Sequence, residues 1–226
     1  VLGSDSISQS GGIRDPHILR GQKGEFLMTA TDMNTAKNGW GKNPGIVLLR
    51  SLDLVNWTHS RIVLAEYYPE RFADAYWVWA PQTIYDRTMG LYMVYFTLQR
   101  RGEDGKVKGE SSQSMITYYA YANRDFTYFK NEPRMLFRAK YGCLDNDIVE
   151  RNGVYHMFKL FDRNEYILMY DLFGSGRYEY QTSTDLTTFS KEPQSFTFDF
   201  HPRHGSVIPI TAEELDRLQQ KWGKVL

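Results

Sequence analysis

Ser51-Leu52-Asp53-Leu54-Val55-Asn56-Trp57 returns twice further along the chain, as Ala122-Asn123-Arg124-Asp125-Phe126-Thr127-Tyr128-Phe129 and as Ser183-Thr184-Asp185-Leu186-Thr187-Thr188-Phe189. Each copy has an Asp, an apolar residue beside it and an aromatic ring four positions after the Asp, and each follows a stretch that reads as a strand. The intervals from Asp53 to Asp125 and on to Asp185 are somewhat longer than one four-stranded propeller blade needs, so a radial repeat is the natural architecture. The competing reading is three unrelated turns of Asp-apolar type.

Outward from these turns, short apolar or alternating runs recur. They are Phe26 to Ala30, Ile46 to Leu49, Leu91 to Phe96, Ile116 to Tyr121, Val154 to Phe158 and Tyr166 to Tyr170. Their β-branched and aromatic content and their length read as strands. Turn signals at Lys23-Gly24, Met89-Gly90, Asn152-Gly153 and Arg163-Asn164 stand directly before four of them, as a meander of hairpins requires. Helical period is confined to the C-terminus. There Thr211 and Glu214 make a capping box ahead of Leu215, Leu218 and Trp222, which predicts one short helix.

Composition narrows the function. The 226 residues carry 27 Lys plus Arg and 27 Asp plus Glu, so no bulk charge draws the chain to nucleic acid or an anionic membrane. The 16 Tyr, 13 Phe and 5 Trp suit stacking on a neutral ligand such as a sugar, and equally suit strands. Cys143 stands alone, so no internal disulfide forms. No run of 18 apolar residues predicts a membrane-spanning helix. The opening Val1-Leu2-Gly3-Ser4 lacks an initiator Met and reads as a processed or trimmed N-terminus, which leaves room for a lost export signal.

Four stretches carry candidate chemistry. Gly12-Ile13-Arg14-Asp15-Pro16-His17-Ile18-Leu19 sets a carboxylate against a proline at the start of an apolar run. Asp15 there either faces an axial pocket or forms a turn with Pro16. Trp77-Val78-Trp79-Ala80-Pro81-Gln82 repeats the arrangement one blade later with a large ring. Cys143-Leu144-Asp145-Asn146-Asp147-Ile148-Val149 puts two acids before another strand, and His201-Pro202-Arg203-His204-Gly205-Ser206 supplies two histidines and an arginine near the end of the chain.

Taken together in chain order, Arg14 to Ile18, Trp79 to Gln82, Leu144 to Val149, Tyr166 to Asp171, Ser183 to Leu186 and Pro202 to Thr211 resemble glycoside hydrolase family 43, in its arabinofuranosidase branch with xylosidases as cousins. The resemblance implies an all-β, five-bladed β-propeller as one domain over 1–226, with an inverting mechanism. It places Asp15 as the general base and Asp145 as the acid that tunes the proton donor, with about 6.5 to 9.5 Å between carboxyl groups to admit a water. It makes Trp79 a wall of the sugar pocket, with Gln82, Asp32 and Arg203 as further substrate-binding positions. No cofactor is required, and calcium is admitted in the central channel at His204.

The resemblance also calls for a Glu as general acid between the Asp145 strand and the last blade. Glu150, Glu165 and Glu179 lie in the region, but none has the expected short Glu-Gly or Glu-Ser context. The chain is also short for five blades. Both observations place a missing segment of several tens of residues near 157–162. The expected activity is exo-acting release of terminal sugars, α-L-arabinofuranosyl foremost, from polysaccharide side chains. The alternatives are a β-xylosidase or galactofuranosidase, or a catalytically silent carbohydrate-binding propeller. A polymer substrate implies an extracellular or periplasmic location.

Overall fold

The computed structural model describes residues 3–108, 114–138, 148–151, 154–156, 166–172, 177–183, 190–192, 194–196, 206 and 208–223. The chain divides into two compact units, one of 1–146 with 204–226 and one of 147–203. The architecture is mostly β with a C-terminal helix.

The first unit opens on a single helical turn, α1 (Ser4–Ile7), and continues into a four-stranded antiparallel meander of β1 (Ile13–Arg20), β2 (Phe26–Asp32), β3 (Gly45–Ser51) and β4 (Trp57–Val63), with a one-turn α2 (Thr35–Asn38) before β3. Two further one-turn helices, α3 (Leu64–Tyr67) and α4 (Pro69–Phe72), lead to a second meander of the same order. It consists of β5 (Ala75–Asp86), β6 (Leu91–Arg100), β7 (Ile116–Tyr121) and β8 (Arg134–Phe137). The four one-turn helices escape a sequence reading because four residues are too few to show a period.

Burial explains which strands lie inside. Ile46 to Leu49 of β3 and Val94 to Leu98 of β6 are unbroken runs of buried residues, as strands covered on both faces must be. The outermost β4 instead exposes Thr58 and His59, which blunts an edge against unwanted pairing. Both meanders feed one core. Leu27, Ile46, Leu48 and Ile62 from the first meet Val78, Val94, Phe96, Leu98, Ala120 and Phe126 from the second, with Leu64 and Phe72 of the linking helices between them. Truncating a fully buried ring such as Phe126 to Ala would cost about 3–5 kcal/mol.

The repeated Asp-apolar turns are the same backbone device. Leu54 has φ +66° and Phe126 φ +58°, a left-handed conformation that non-glycine residues seldom adopt. Different side chains hold it. In the first copy Asp53 Oδ1 accepts from the N–H groups of Val55 and Asn56 at 2.9 and 2.7 Å, and these bonds, Asn56's foremost, hold the Asp53 carboxyl down to about 2. In the second copy Asn123 Oδ1 accepts from Thr127 and Tyr128 at 2.7 and 3.0 Å, while Asp125 is exposed. The third copy, at 184–189, lies outside the described residues.

The second unit contains a hairpin of β9 (Val149–Arg151) and β10 (Val154–His156), and a three-stranded antiparallel sheet of β11 (Tyr166–Leu172), β12 (Arg177–Ser183) and β13 (Gln194–Phe196). Returning to the first unit, α5 (Ala212–Trp222) starts at the expected capping box. Glu214 N–H donates to Thr211 Oγ1 at 3.2 Å, and Thr211 N–H donates to Glu214 Oε2 at 2.8 Å. Glu214 also takes both arms of the Arg20 guanidinium at 2.7 and 2.9 Å, which ties α5 to β1 and holds the Glu214 carboxyl down to about 2. Leu215 and Trp222 are exposed, Leu218 is half-buried, and the buried residue of α5 is Glu214.

Candidate functional site

The first strands of the two meanders bend at matching places. Pairing of β1 with β2 slips between Arg14 and His17, and pairing of β5 with β6 slips between Trp79 and Gln82. Each slip holds one proline, Pro16 or Pro81, which has no N–H to give a ladder and is tolerated at a bulge on an edge strand. The residue before each proline is left-handed, Asp15 at φ +51° and Ala80 at φ +46°. Asp15 therefore sits inside a strand at a bulge rather than at its entrance. The quartets Arg14-Asp15-Pro16-His17 and Trp79-Ala80-Pro81-Gln82 are structural equivalents.

Strand β2 joins the two bends. Residues two apart on a strand share a face, so Thr29 and Thr31 point together. Thr31 Oγ1 donates to Asp15 Oδ2 at 3.2 Å and accepts from Ala80 N–H at 2.9 Å. Thr29 Oγ1 donates to Pro81 O at 2.7 Å. One hydroxyl thus orients the Asp15 carboxylate and pins the second bend to it. His17 Nδ1 accepts from Thr83 N–H at 3.3 Å, which puts the proton of the neutral ring on Nε2. Burial pulls the His17 pKa down to about 4, so the ring is neutral at pH 7.

Beyond the bends lies a group of rings. Trp77 and Trp79 stack at 4.1 Å between centroids, and Trp40 meets Trp79 edge-on at 5.9 Å. Both stacked indoles are fixed by their N–H groups, Trp77 Nε1 to Gly41 O at 2.9 Å and Trp79 Nε1 to Asn43 Oδ1 at 2.7 Å. Gln82 Oε1 accepts from Tyr95 Oη at 2.7 Å. Such fixed rings with polar groups beside them form the kind of surface on which sugar rings stack.

Asp32 stands apart from Asp15. Its neighbour Thr31 faces the Asp15 side, so Asp32 faces the other way, and its two oxygens accept from the N–H groups of Gln9 and Ser10 at 2.9 and 3.0 Å. There it lines a cavity of about 210 Å³ with Asn34, Lys42, Asn43 and Arg61. Asp145, Arg203 and His204 lie outside the described residues, as does the stretch 157–162. Among the described residues no three His, Cys, Asp or Glu stand close enough to hold a metal, and no helix is long and apolar enough to cross a membrane.

Sequence reading singled out Asp15, Trp79 and Gln82 but missed Thr31, His17 and Asn43. A signal for Thr31 was present. Two threonines at alternate positions of the otherwise apolar Phe26-Leu27-Met28-Thr29-Ala30-Thr31 need buried partners, and both are fully buried.

Comparison with known proteins adds three findings. A family model described as a probable glycosyl hydrolase domain, related to glycoside hydrolase family 43, matches residues 1–160 and 156–216. An α-L-arabinofuranosidase of Bifidobacterium longum is 27% identical over 171 residues, which are 70% of this chain and 16% of that protein. This chain therefore spans about a sixth of that relative's length. Among solved structures, a family 43 β-1,3-galactosidase with galactodeoxynojirimycin is 10% identical with a TM-score of 0.54, over 84% of this chain and 78% of that one. A thermostable family 43 glycoside hydrolase is 20% identical with a TM-score of 0.44, over 85% and 56%. The galactosidase likeness shows a shared fold.

Proposed function

We infer the function from one premise: the chain belongs to the family of glycosyl hydrolase domains related to glycoside hydrolase family 43. We propose that it is an inverting, exo-acting hydrolase that releases terminal sugars, α-L-arabinofuranosyl units foremost, from polysaccharide side chains. The arabinofuranosidase relative supports that sugar, and a polymer substrate places the protein outside the cell or in the periplasm. The two four-stranded meanders are then the first two blades of a five-bladed ring.

The observation that carries the proposal is the Asp15 carboxylate at a left-handed position in a strand bulge, oriented by the Thr31 hydroxyl that also holds Ala80, the residue after the stacked Trp79. Leu54, Ala80 and Phe126 are left-handed too, so it is the oriented carboxylate at this position, and not the backbone strain alone, that points to chemistry. Asp15 removes a proton from water as the water oxygen attacks the anomeric carbon, the bond from that carbon to the leaving oxygen breaks, and the leaving oxygen takes a proton. Asp145 tunes the donor of that last proton, Trp79 walls the sugar, and Gln82 and Arg203 bind its hydroxyls, while Asp32, held by Gln9 and Ser10 on the other face of its strand, takes no part. The donor itself belongs to a segment missing near 157–162. The division of the family match into two stretches that meet at 156–160 supports this.

With the proton donor in the missing segment, the 226 residues by themselves supply only the base half of that reaction, which has a distinctive profile. Leaving groups that depart without a proton are hydrolysed, and those that need one are not. The chain is assayed with 2,4-dinitrophenyl and methyl α-L-arabinofuranosides, and with the corresponding β-xylosides and galactofuranosides. Turnover of the dinitrophenyl arabinoside, with the methyl glycoside slower by several orders of magnitude, is expected. Asp15→Asn should remove roughly 10²- to 10⁴-fold of that turnover. If no dinitrophenyl glycoside is hydrolysed yet sugars bind, the chain is a silent sugar-binding propeller. If Asp15→Asn is fully active, Asp15 is not the base.

A further inference from the structure

Trp40, like Trp222, is an exposed indole, but it lies against residues of both bends. It is 61% exposed, on the loop between α2 and β3, yet its ring is not loose. Trp79 holds its edge at 5.9 Å, and the Arg14 guanidinium lies 4.9 Å from its centroid. Both neighbours belong to the equivalent bends: Arg14 precedes Asp15 and Trp79 precedes Ala80. The ring therefore stands edge-on beside the Trp77–Trp79 stack and touches a residue of each bend.

An exposed tryptophan normally loses contacts and gains nothing by being held in one orientation. A cation over an aromatic ring contributes only about 0.5–1 kcal/mol when exposed, so Arg14 does not by itself account for leaving so much apolar surface in water. A fixed ring next to a sugar pocket suits one occupant well. The flat, C–H-bearing face of a pyranose or furanose lies on the ring while its hydroxyls point to water and to the nearby guanidinium. An anionic or a purely apolar partner would use only half of this pair.

We propose that Trp40, oriented by Arg14 and Trp79, is a stacking platform for the polysaccharide chain that carries the cleaved sugar, and so sets a preference for branched oligosaccharides over simple glycosides. The inference rests on the sugar-cleaving site proposed above. The proposal assigns the terminal sugar to Trp79 and the polymer to Trp40, so loss of the Trp40 ring should act on the polymer side alone.

The test uses Asp15→Asn, so that ligands are bound and not consumed, and measures affinity by calorimetry for two probes. One is methyl α-L-arabinofuranoside, and the other is a xylo-oligosaccharide bearing one arabinofuranosyl branch. Adding Trp40→Ala should weaken the oligosaccharide roughly ten-fold and leave the methyl glycoside unchanged, with Trp40→Phe recovering part of the loss. Thermal melting is expected to be unaltered because the ring is exposed. Equal oligosaccharide affinity with and without Trp40 overturns the platform while leaving the sugar site standing. Parallel weakening of both probes overturns it too, since Trp40 would then belong to the pocket. If the Asp15→Asn chain binds neither probe, the sugar-site reading itself fails and takes the platform with it.

Discussion

The bend at Asp15-Pro16-His17 and the bend at Ala80-Pro81-Gln82 share one backbone and carry opposite chemistry. Both are bulges in an edge strand, both put a non-glycine residue at positive φ before a proline, and Thr31 touches both. The first offers a carboxylate and an imidazole, the second a methyl group and an amide. A repeated fold thus supplies the position twice and the sequence spends it once on an acid, so the repeat alone is evidence of geometry and not of function. The sharpest way to separate the two is the same substitution at both bends. Asp15→Gly should cut turnover of a dinitrophenyl glycoside by roughly 10²- to 10⁴-fold, with a melting temperature within a few degrees of the parent, because glycine accepts positive φ freely.

The third position of each bend differs in charge as well as shape. His17 has its pKa pulled down to about 4 by burial, whereas Gln82 does not titrate. An unfolded chain protonates its histidine near 6.5, so below that pH the unfolded state binds more protons than the folded one. The contribution is therefore complete above pH 6.5 and is lost progressively down to pH 4. Between pH 7.5 and 5 the loss amounts to about 2 kcal/mol. Urea midpoints at the two pH values should show it, and His17→Asn, whose side-chain oxygen can still accept from Thr83 N–H, should flatten the dependence. Glu214, held down to about 2 by Arg20, loses its contribution only as pH falls from about 4.5, below this window. An unchanged slope in the variant would show that His17 is not the titrating group.

Thr31 is the one hydroxyl common to both bends. Thr31→Val leaves Ala80 N–H without its acceptor and Asp15 Oδ2 without this donor, inside a buried strand. The expected cost is about 1–3 kcal/mol of stability, together with a fall in kcat from a misaligned carboxylate. Thr31→Ser keeps the hydroxyl and should restore most of both. A variant that loses stability but not kcat would mean that Thr31 holds the second bend and does nothing for the first.

What the sequence revealed and what it hid divides along the same line. The strands Phe26–Asp32, Leu91–Arg100 and Ile116–Tyr121 were legible because alternation and turn residues are local signals. Asp15 and Trp79 were legible because a proline beside them marks a special backbone. Alternation with Thr29 signals that Thr31 needs a buried partner, but not which one, since Ala80 lies 49 residues away and no local pattern encodes that distance. His17 looked like part of a motif, and only its enclosure against β5 gives it a titration. The capping box at Thr211 is a local signal and was legible too. Which face of that helix is buried is not local, since Arg20, from β1, captures Glu214 while Leu215 and Trp222 stay exposed.

The smallest expected effect tests the comparison most directly. Ala80→Gly relieves a left-handed conformation that costs an L-residue about 1–2 kcal/mol, and it adds about 0.5–1 kcal/mol of backbone freedom to the unfolded chain. It also removes a buried methyl group worth about 0.8 kcal/mol. These contributions nearly cancel, so the melting temperature should move by no more than a few degrees, and turnover should be unaffected because the second bend offers no reacting group. If Ala80→Gly instead costs several kcal/mol while Asp15→Gly costs nothing, the bends are not equivalent. The left-handed turn at Asp15 would then be imposed by its own side chain through Thr31, and that at Ala80 by the packing around it, so that a common bulge would conceal two different causes.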